Sequence, residues 1–250
     1  MTAKLSKKIA LITGGTSGLG LAAAQVFVEE GAYVFITGRR QKQLDEAVRE
    51  LGPEAFGIRS DVSDLAGLDK VFQEIQARKG RLDVLFANAG VGALEPLGEI
   101  TADQFDRMYG TNVRGLLFTV QKALPLMPKG ASIILNGSSS SVRGIPAMSV
   151  YASTKAAVRS LARSWTWDLK DRGIRVNVIS PGVVPTPGYE LLGLTKEQVA
   201  GFVASQIPTI PMGRVGTARE IAKVALFLAS DDSSFVNGVE LFADGGMSQV

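Results

Sequence analysis

The chain has 250 residues, 46% of them hydrophobic and 20% charged, and 27 basic against 24 acidic side chains leave a net charge of +3. This composition excludes disordered, collagen-like and coiled-coil architectures, and at this length folding buries roughly 70–75% of the unfolded chain's surface. Neither Cys nor His occurs, which excludes disulfides, thiolate nucleophiles, Ser-His-Asp triads and the common zinc sites, and leaves Tyr, Lys, Asp or Glu for acid/base work near neutrality.

Ile9–Thr13 reads as the first strand, a short apolar run rich in β-branched residues. The segment from Ile9 to Val28 carries no charge over 20 residues and follows Lys7 and Lys8, which on length alone imitates a membrane span or a signal peptide. Gly14, Gly15, Gly18 and Gly20 interrupt it, so it reads as a strand, a turn and a helix of a cytoplasmic protein. Further strands are expected at Val34–Thr37, Phe56–Ser60, Val84–Ala87, Ile133–Asn136, Val176–Ile179 and Val239–Phe242. Helices are expected near 19–30, 41–51, 64–78, 103–127, 151–171 and 218–229. The strands are continuously apolar, as strands buried on both faces are, and they alternate with helices. That pattern predicts an α/β fold, a doubly wound, seven-stranded parallel sheet of Rossmann type, with residues 1–250 as one domain. Thr101-x-x-Gln104, Thr195-x-x-Gln198 and Thr217-x-x-Glu220 are capping boxes that mark helix starts. The least regular stretch, Pro181–Gly213, reads as a long loop, with 183–213 as a substrate lid. No Lys/Arg run resembles a nucleic-acid-binding tail.

Thr13-Gly14-Gly15-Thr16-Ser17-Gly18-Leu19-Gly20 lies between the first strand and first helix. Glycines allow positive φ and a close backbone approach to a pyrophosphate, and the helix beginning at Leu19 offers free N–H groups and a positive dipole end. A tight turn without a ligand is the alternative. The spacing T-G-x-x-x-G-x-G resembles the short-chain dehydrogenase/reductase family in its single-domain branch of about 250 residues, and not the commoner G-x-G-x-x-G fingerprint.

At the end of the second strand stand Thr37, Gly38, Arg39 and Arg40. An acidic residue there would accept from a free ribose 2′-OH and repel a 2′-phosphate. The resemblance puts Thr37 where NAD-preferring members carry Asp, and Arg39, with Arg40 behind it, where NADP-preferring members hold a basic residue. NADP(H) is therefore expected, with NAD(H) as the runner-up; a solvated arginine pair is the plain alternative. The resemblance further implies that Asp61, followed by Val62, meets the adenine amino group, although Asp61 also suits a helix cap. It places Asn88-Ala89-Gly90 beside the cofactor ribose, with Asn88 tying strand ends together, and puts Pro181, Gly182, Val184 and Thr186 beside the nicotinamide carboxamide.

Tyr151 and Lys155 are four residues apart, on one face of a helix. Ser138 lies 13 residues before Tyr151 and Asn112 lies 26 before Ser138. These offsets match the family's Asn-Ser-Tyr-Lys tetrad, and the likeness runs from about Ile9 to Gly246. A free phenol titrates near pH 10. A neighbouring Lys155 ammonium and an oxidised nicotinamide should both favour phenolate, lower that value and let Tyr151 pass a proton to and from a carbonyl oxygen, with Ser138 polarising the same oxygen. A register shift of one would move that role to Ser139. The resemblance also implies that Lys155 binds the nicotinamide ribose and that Asn112 holds a relay water. Leu94, Ser140, Ile145, Met148, Tyr189, Leu191, Leu192 and Phe202 are expected to wall a mostly apolar pocket for a small carbonyl or alcohol, near Arg143. Relatives pair the helices at 103–127 and 151–171, which implies a homotetramer. A non-catalytic nucleotide sensor on the same fold is the other class of reading. Enoyl reduction is a third, but the family's enoyl reductases space Tyr and Lys by six.

Overall fold

Seven stretches of the chain are strands in the computed structural model, which describes residues 3–189 and 195–250. They are Ile9–Ile12 (β1), Tyr33–Gly38 (β2), Ala55–Arg59 (β3), Val84–Ala87 (β4), Ser132–Asn136 (β5), Arg175–Pro181 (β6) and Glu240–Ala243 (β7). They form one sheet in the order β3-β2-β1-β4-β5-β6-β7, with every pairing parallel. Leu11 of β1 sits opposite Phe35 on one side and Leu85 on the other. The chain winds outward from β1 in both directions, so the order reverses between β1 and β4, and the crevice beyond those strand ends is where such folds bind ligands.

Among the described residues eight α-helices lie between the strands: Gly18–Glu29 (α1), Gln41–Leu51 (α2), Leu65–Lys79 (α3), Ala102–Tyr109 (α4), Leu116–Ala123 (α5), Ser149–Asp168 (α6), Lys196–Gln206 (α7) and Ala218–Ala229 (α8). The strand side chains alternate into two cores. Ala10, Ile12, Val34 and Ile36 pack with α1 and α8 through Phe27, Ala222 and Leu226. Ile9, Leu11, Phe35 and Leu85 pack on the other face with Val71, Ile75, Val120 and Val158 of α3, α5 and α6. Both faces are covered, which is why the strands read as unbroken apolar runs. All three capping boxes form, at the starts of α4, α7 and α8.

Two expectations change. The helix expected at 103–127 is broken: α4 and α5 are joined by a π-helical turn at Gly110–Gly115, and Asn112 lies on that turn. The stretch 181–213 is not one loop, because it contains α7, whose side chains bury nothing. Among the described residues no helix is long and apolar enough to cross a membrane. The uncharged run from Ile9 to Val28 is β1, the glycine turn and most of α1.

Candidate active site

The glycine turn lies past the end of β1, at the point where the strand order reverses. Gly14 has φ +65°, a backbone state that side chains disfavour. Gly20 is needed for a different reason: a Cβ there would come within 2.2 Å of the Gly14 carbonyl oxygen and 2.6 Å of Asn88 Nδ2. Asn88 ties three strand ends together, as expected. Its Nδ2 donates to the carbonyls of Thr13 (3.0 Å) and Gly14 (3.3 Å), and its Oδ1 accepts from Asn136 Nδ2 at 3.2 Å. Thr13, whose part the sequence did not signal, accepts through Oγ1 from the N–H groups of Asn88 and Ala89, both at 3.0 Å.

A cleft of about 250 Å³ runs over this turn, lined by Gly14 and Thr16–Leu19, by Arg39 and Arg40, by Asp61 and Val62, and by Asn88–Gly90. Gly20 is the one candidate from the turn that stays out of it, closed off by packing. Arg39 is well exposed, and its guanidinium is 3.7 Å from the Asp61 carboxylate. Asp61 is not the cap of α3. It accepts from the N–H and hydroxyl of Ser63, and Asp64 caps the helix instead. Thr37 is only 1% exposed. It still lines the cleft, so the position where an acidic selector was expected borders the same space as Arg39.

A larger cavity of about 830 Å³ continues from the cleft and shares Leu19, Arg39, Asp61, Asn88 and Thr186 with it. Ser138, Tyr151 and Lys155 meet in its wall, and so do Pro181, Gly182 and Val184. Ser138 ends the strand side of a tight turn; its Oγ accepts from Ser140 N–H at 3.2 Å and from Ser140 Oγ at 2.9 Å. Ser139 also lines the cavity but makes no such contact with the loop. Lys155 is buried, with Nζ 5.6 Å from the Tyr151 ring centre, and donates to the Asn136 carbonyl at 2.8 Å. The Asn136 anchor was also missed from sequence, because a main-chain acceptor leaves no residue signature.

Burial pushes the Lys155 ammonium down to about 8. Burial also pushes the Tyr151 phenol up to about 12, while its contact with Ser138 acts more weakly in the opposite direction. The lowering expected from Lys155 together with an oxidised nicotinamide is thus not present in the protein alone. The desolvation of Tyr151 is the larger effect, and the amine is turned toward Asn136. Asn112 is buried, and its amide is committed: Oδ1 accepts from Val91 N–H and Nδ2 donates to Val91 O, both at 2.8 Å, with a further bond to Thr154 Oγ1 at 3.1 Å. Its side chain fastens the segment after β4 to α6.

Leu94, Ser140, Ile145, Met148, Tyr189, Phe202 and Arg143 all line the larger cavity, as expected. Leu191 and Leu192 lie outside the described residues.

A family profile described as enoyl-(acyl carrier protein) reductase matches residues 14–248. A solved short-chain type dehydrogenase/reductase from Mycobacterium marinum superimposes with a TM-score of 0.91 at 32% identity, over 99% of this chain and 98% of that one. The chain belongs to the short-chain dehydrogenase/reductase family. Two further short-chain dehydrogenase/reductase relatives match over nearly their whole length. Oxidoreductase asL5 of Sarocladium schorii is 49% identical over 99% of this chain and 98% of its own. The NADP-dependent (R)-specific alcohol dehydrogenase of Lentilactobacillus kefiri is 35% identical over 98% of each. The chain is thus an oxidoreductase of a family that uses nicotinamide cofactors.

The cleft fits such a dinucleotide. Its floor is made of glycines and small residues, free helix N–H groups lie at its edge, and a cation stands at one end. The buried Asn136 Oδ1 has no hydrogen-bond partner among the described residues, as expected of a group that meets a ligand or water.

Proposed function

We propose that the protein is an NADP(H)-dependent oxidoreductase that interconverts a ketone or aldehyde with an alcohol. The observation that carries this reading is the meeting of Tyr151, Ser138 and Lys155 where the glycine-floored cleft opens into an apolar cavity. Bound in the cleft, the nicotinamide would supply or accept the hydride. Gly14, Thr16, Ser17, Gly18 and Leu19 would hold the pyrophosphate, Asp61 and Val62 the adenine, and Asn88, Ala89, Gly90 and Lys155 the ribose nearer the reaction. Pro181, Gly182, Val184 and Thr186 would border the carboxamide.

Tyr151 keeps its proton at neutral pH because its phenol is held up at about 12, which suits an acid that protonates a carbonyl oxygen as it gains negative charge. Ser138 has its hydroxyl oxygen engaged by Ser140, so its own proton is free to reach the same oxygen and stabilise it. Lys155 carries its charge below about 8 and stabilises a phenolate while Tyr151 is deprotonated. Asn112 acts by holding Val91 to α6. The cavity wall of Leu94, Ile145, Met148, Tyr189 and Phe202 favours an apolar substrate of some bulk. We read residues 183–213 as the substrate-covering segment, and exposed Phe105 and Trp167 on α4 and α6 as consistent with a homotetramer. Enoyl reduction is the less favoured chemistry, since Tyr151 and Lys155 stand four residues apart. The direct experiment is to follow NADPH oxidation against a panel of ketones.

Two outcomes follow. Substituting Arg39→Leu is expected to raise KM for NADPH by about 10- to 100-fold, the worth of a charge-assisted contact to the 2′-phosphate, while KM for NADH changes by less than about twofold. An equal change for both cofactors would remove Arg39 from phosphate recognition. The pH dependence has a defined sign. Tyr151 is in its acid form throughout neutrality and Lys155 loses charge through about 8. Ketone reduction should hold from about pH 6 to about pH 8 and decline above, whereas alcohol oxidation, which needs the phenol's proton removed while Lys155 is still charged, should climb from about pH 6 to about pH 8 and level off above. Rates measured in both directions check this, and oxidation that slows as pH rises would contradict it.

A further inference from the structure

We infer that Glu240 is a positioning residue that locks the turn bearing Ser138 against the helix bearing Tyr151. Glu240 opens β7, where it is followed by Leu241, Phe242 and Ala243. Its side chain is only 8% exposed. One carboxylate oxygen accepts from Ser141 Oγ at 2.8 Å and from Ser180 Oγ at 2.7 Å. The other lies 3.5 Å from Arg159 Nε, and Arg159 Nη1 donates to the Gly238 carbonyl at 2.7 Å.

Each of these partners belongs to a segment that carries the site. Ser141 closes the turn after Ser138, since its N–H donates to the Ser138 carbonyl at 3.0 Å. Ser180, fully buried on β6, stands directly before Pro181 and Gly182. Arg159 is four residues beyond Lys155 and eight beyond Tyr151 on α6, so all three share a helix face. Glu240 itself does not line the cavity. It acts at one remove, by fixing the three segments to one another.

The fold alone gives no reason for this residue. A buried carboxylate and guanidinium are expensive to desolvate, and apolar replacements of similar volume are often neutral or stabilising. Valine would continue the apolar run of β7. What valine cannot do is hold two serine hydroxyls on one atom. Ser138 depends on that grip, because its turn spans only residues 139–141 and has no other side-chain tie to the sheet among the described residues.

The inference takes Ser138 and Tyr151 as the reacting groups, and the test separates the two claims. Two double variants are compared, Arg159→Met with Glu240→Gln and Arg159→Met with Glu240→Val. Both lack the ion pair, but the amide oxygen of the first still accepts from Ser141 and Ser180. The valine form should show kcat about 10- to 100-fold below the glutamine form, the size of effect that a small misplacement of a reacting group produces. KM for NADPH should differ by less than about twofold, the kinetic isotope effect from 4-deuterated NADPH should rise, and melting temperatures should agree within about 3 °C. Equal kcat and isotope effect in the two folded variants would overturn the inference. If the unaltered protein turns over no carbonyl, the functional reading fails instead. The inference is then judged on crystal structures of the two variants, where a Ser138 hydroxyl unmoved by valine overturns it and a displaced one supports it.

Discussion

Replacing Tyr151 with Phe is expected to lower kcat for ketone reduction by about 10³-fold, within the range general acid catalysis supplies. The ring remains, so packing in the cavity wall is unchanged and only the proton is lost. That loss corresponds to about 4 kcal/mol of transition-state stabilisation, at about 1.4 kcal/mol per factor of ten. No other side chain replaces the donor. The chain has no His or Cys, Lys155 points at the Asn136 carbonyl, and the Ser138 hydroxyl can hydrogen-bond the oxygen but is too weak an acid to give its proton up. Tyr189 is the other phenol lining the cavity, and burial raises its pKa as well. Steady-state rates, with NADPH binding followed by fluorescence, give the check. Binding should stay within about threefold, because the contacts proposed for the cofactor involve the glycine turn and Lys155 far more than the phenol. A variant that reduces ketones at the unaltered rate would end the assignment of Tyr151 as the acid.

The second large effect is structural. Gly20→Ala should destabilise the protein by about 3 kcal/mol, the upper part of the range for overpacking a close-packed site. At this chain length that shifts Tm by roughly 6–12 °C. The added Cβ would sit 2.2 Å from the Gly14 carbonyl oxygen and 2.6 Å from Asn88 Nδ2. Neither neighbour can retreat. Gly14 is held in a left-handed turn, and Asn88 Nδ2 is bonded to the carbonyls of Thr13 and Gly14. Relief by movement of α1 would pull apart its packing against α8, which includes Phe27 and Ala222. A thermal melt of the variant decides the matter; a Tm within about 2 °C of the unaltered protein would mean that the helix slides freely.

What could be read from sequence was local. Strands buried on both faces are apolar throughout, so their positions stood out. The glycine turn and the Tyr151–Lys155 pair are fixed by short spacings that imply their geometry. Ser138 and Asn112 came from resemblance, through long offsets that physical reasoning alone does not interpret. The features that escaped notice depend on partners distant in sequence or on the main chain. Glu240 meets Ser141 from 99 residues away, and nothing near either residue announces the pairing. The π-helical turn at Asn112 leaves the apolar periodicity of 103–127 intact while changing the backbone. α7 carried a correct capping box at Thr195, but its side chains bury nothing, so no core-facing stripe marked it. The desolvation that holds the phenol of Tyr151 up in the protein alone was not legible either, because only the packed structure reveals it.

The burial of Lys155 has a practical side. In a chain without imidazoles or thiols, ordinary side chains are silent between the carboxylates and the amines. A buried amine brought down to about 8 falls inside that window, which it shares with the α-amino group at the start of the chain. An inflection seen there by spectroscopy or calorimetry that is lost when Lys155 is replaced by Met belongs to this amine, so the protein carries its own reporter at the centre of its reaction site.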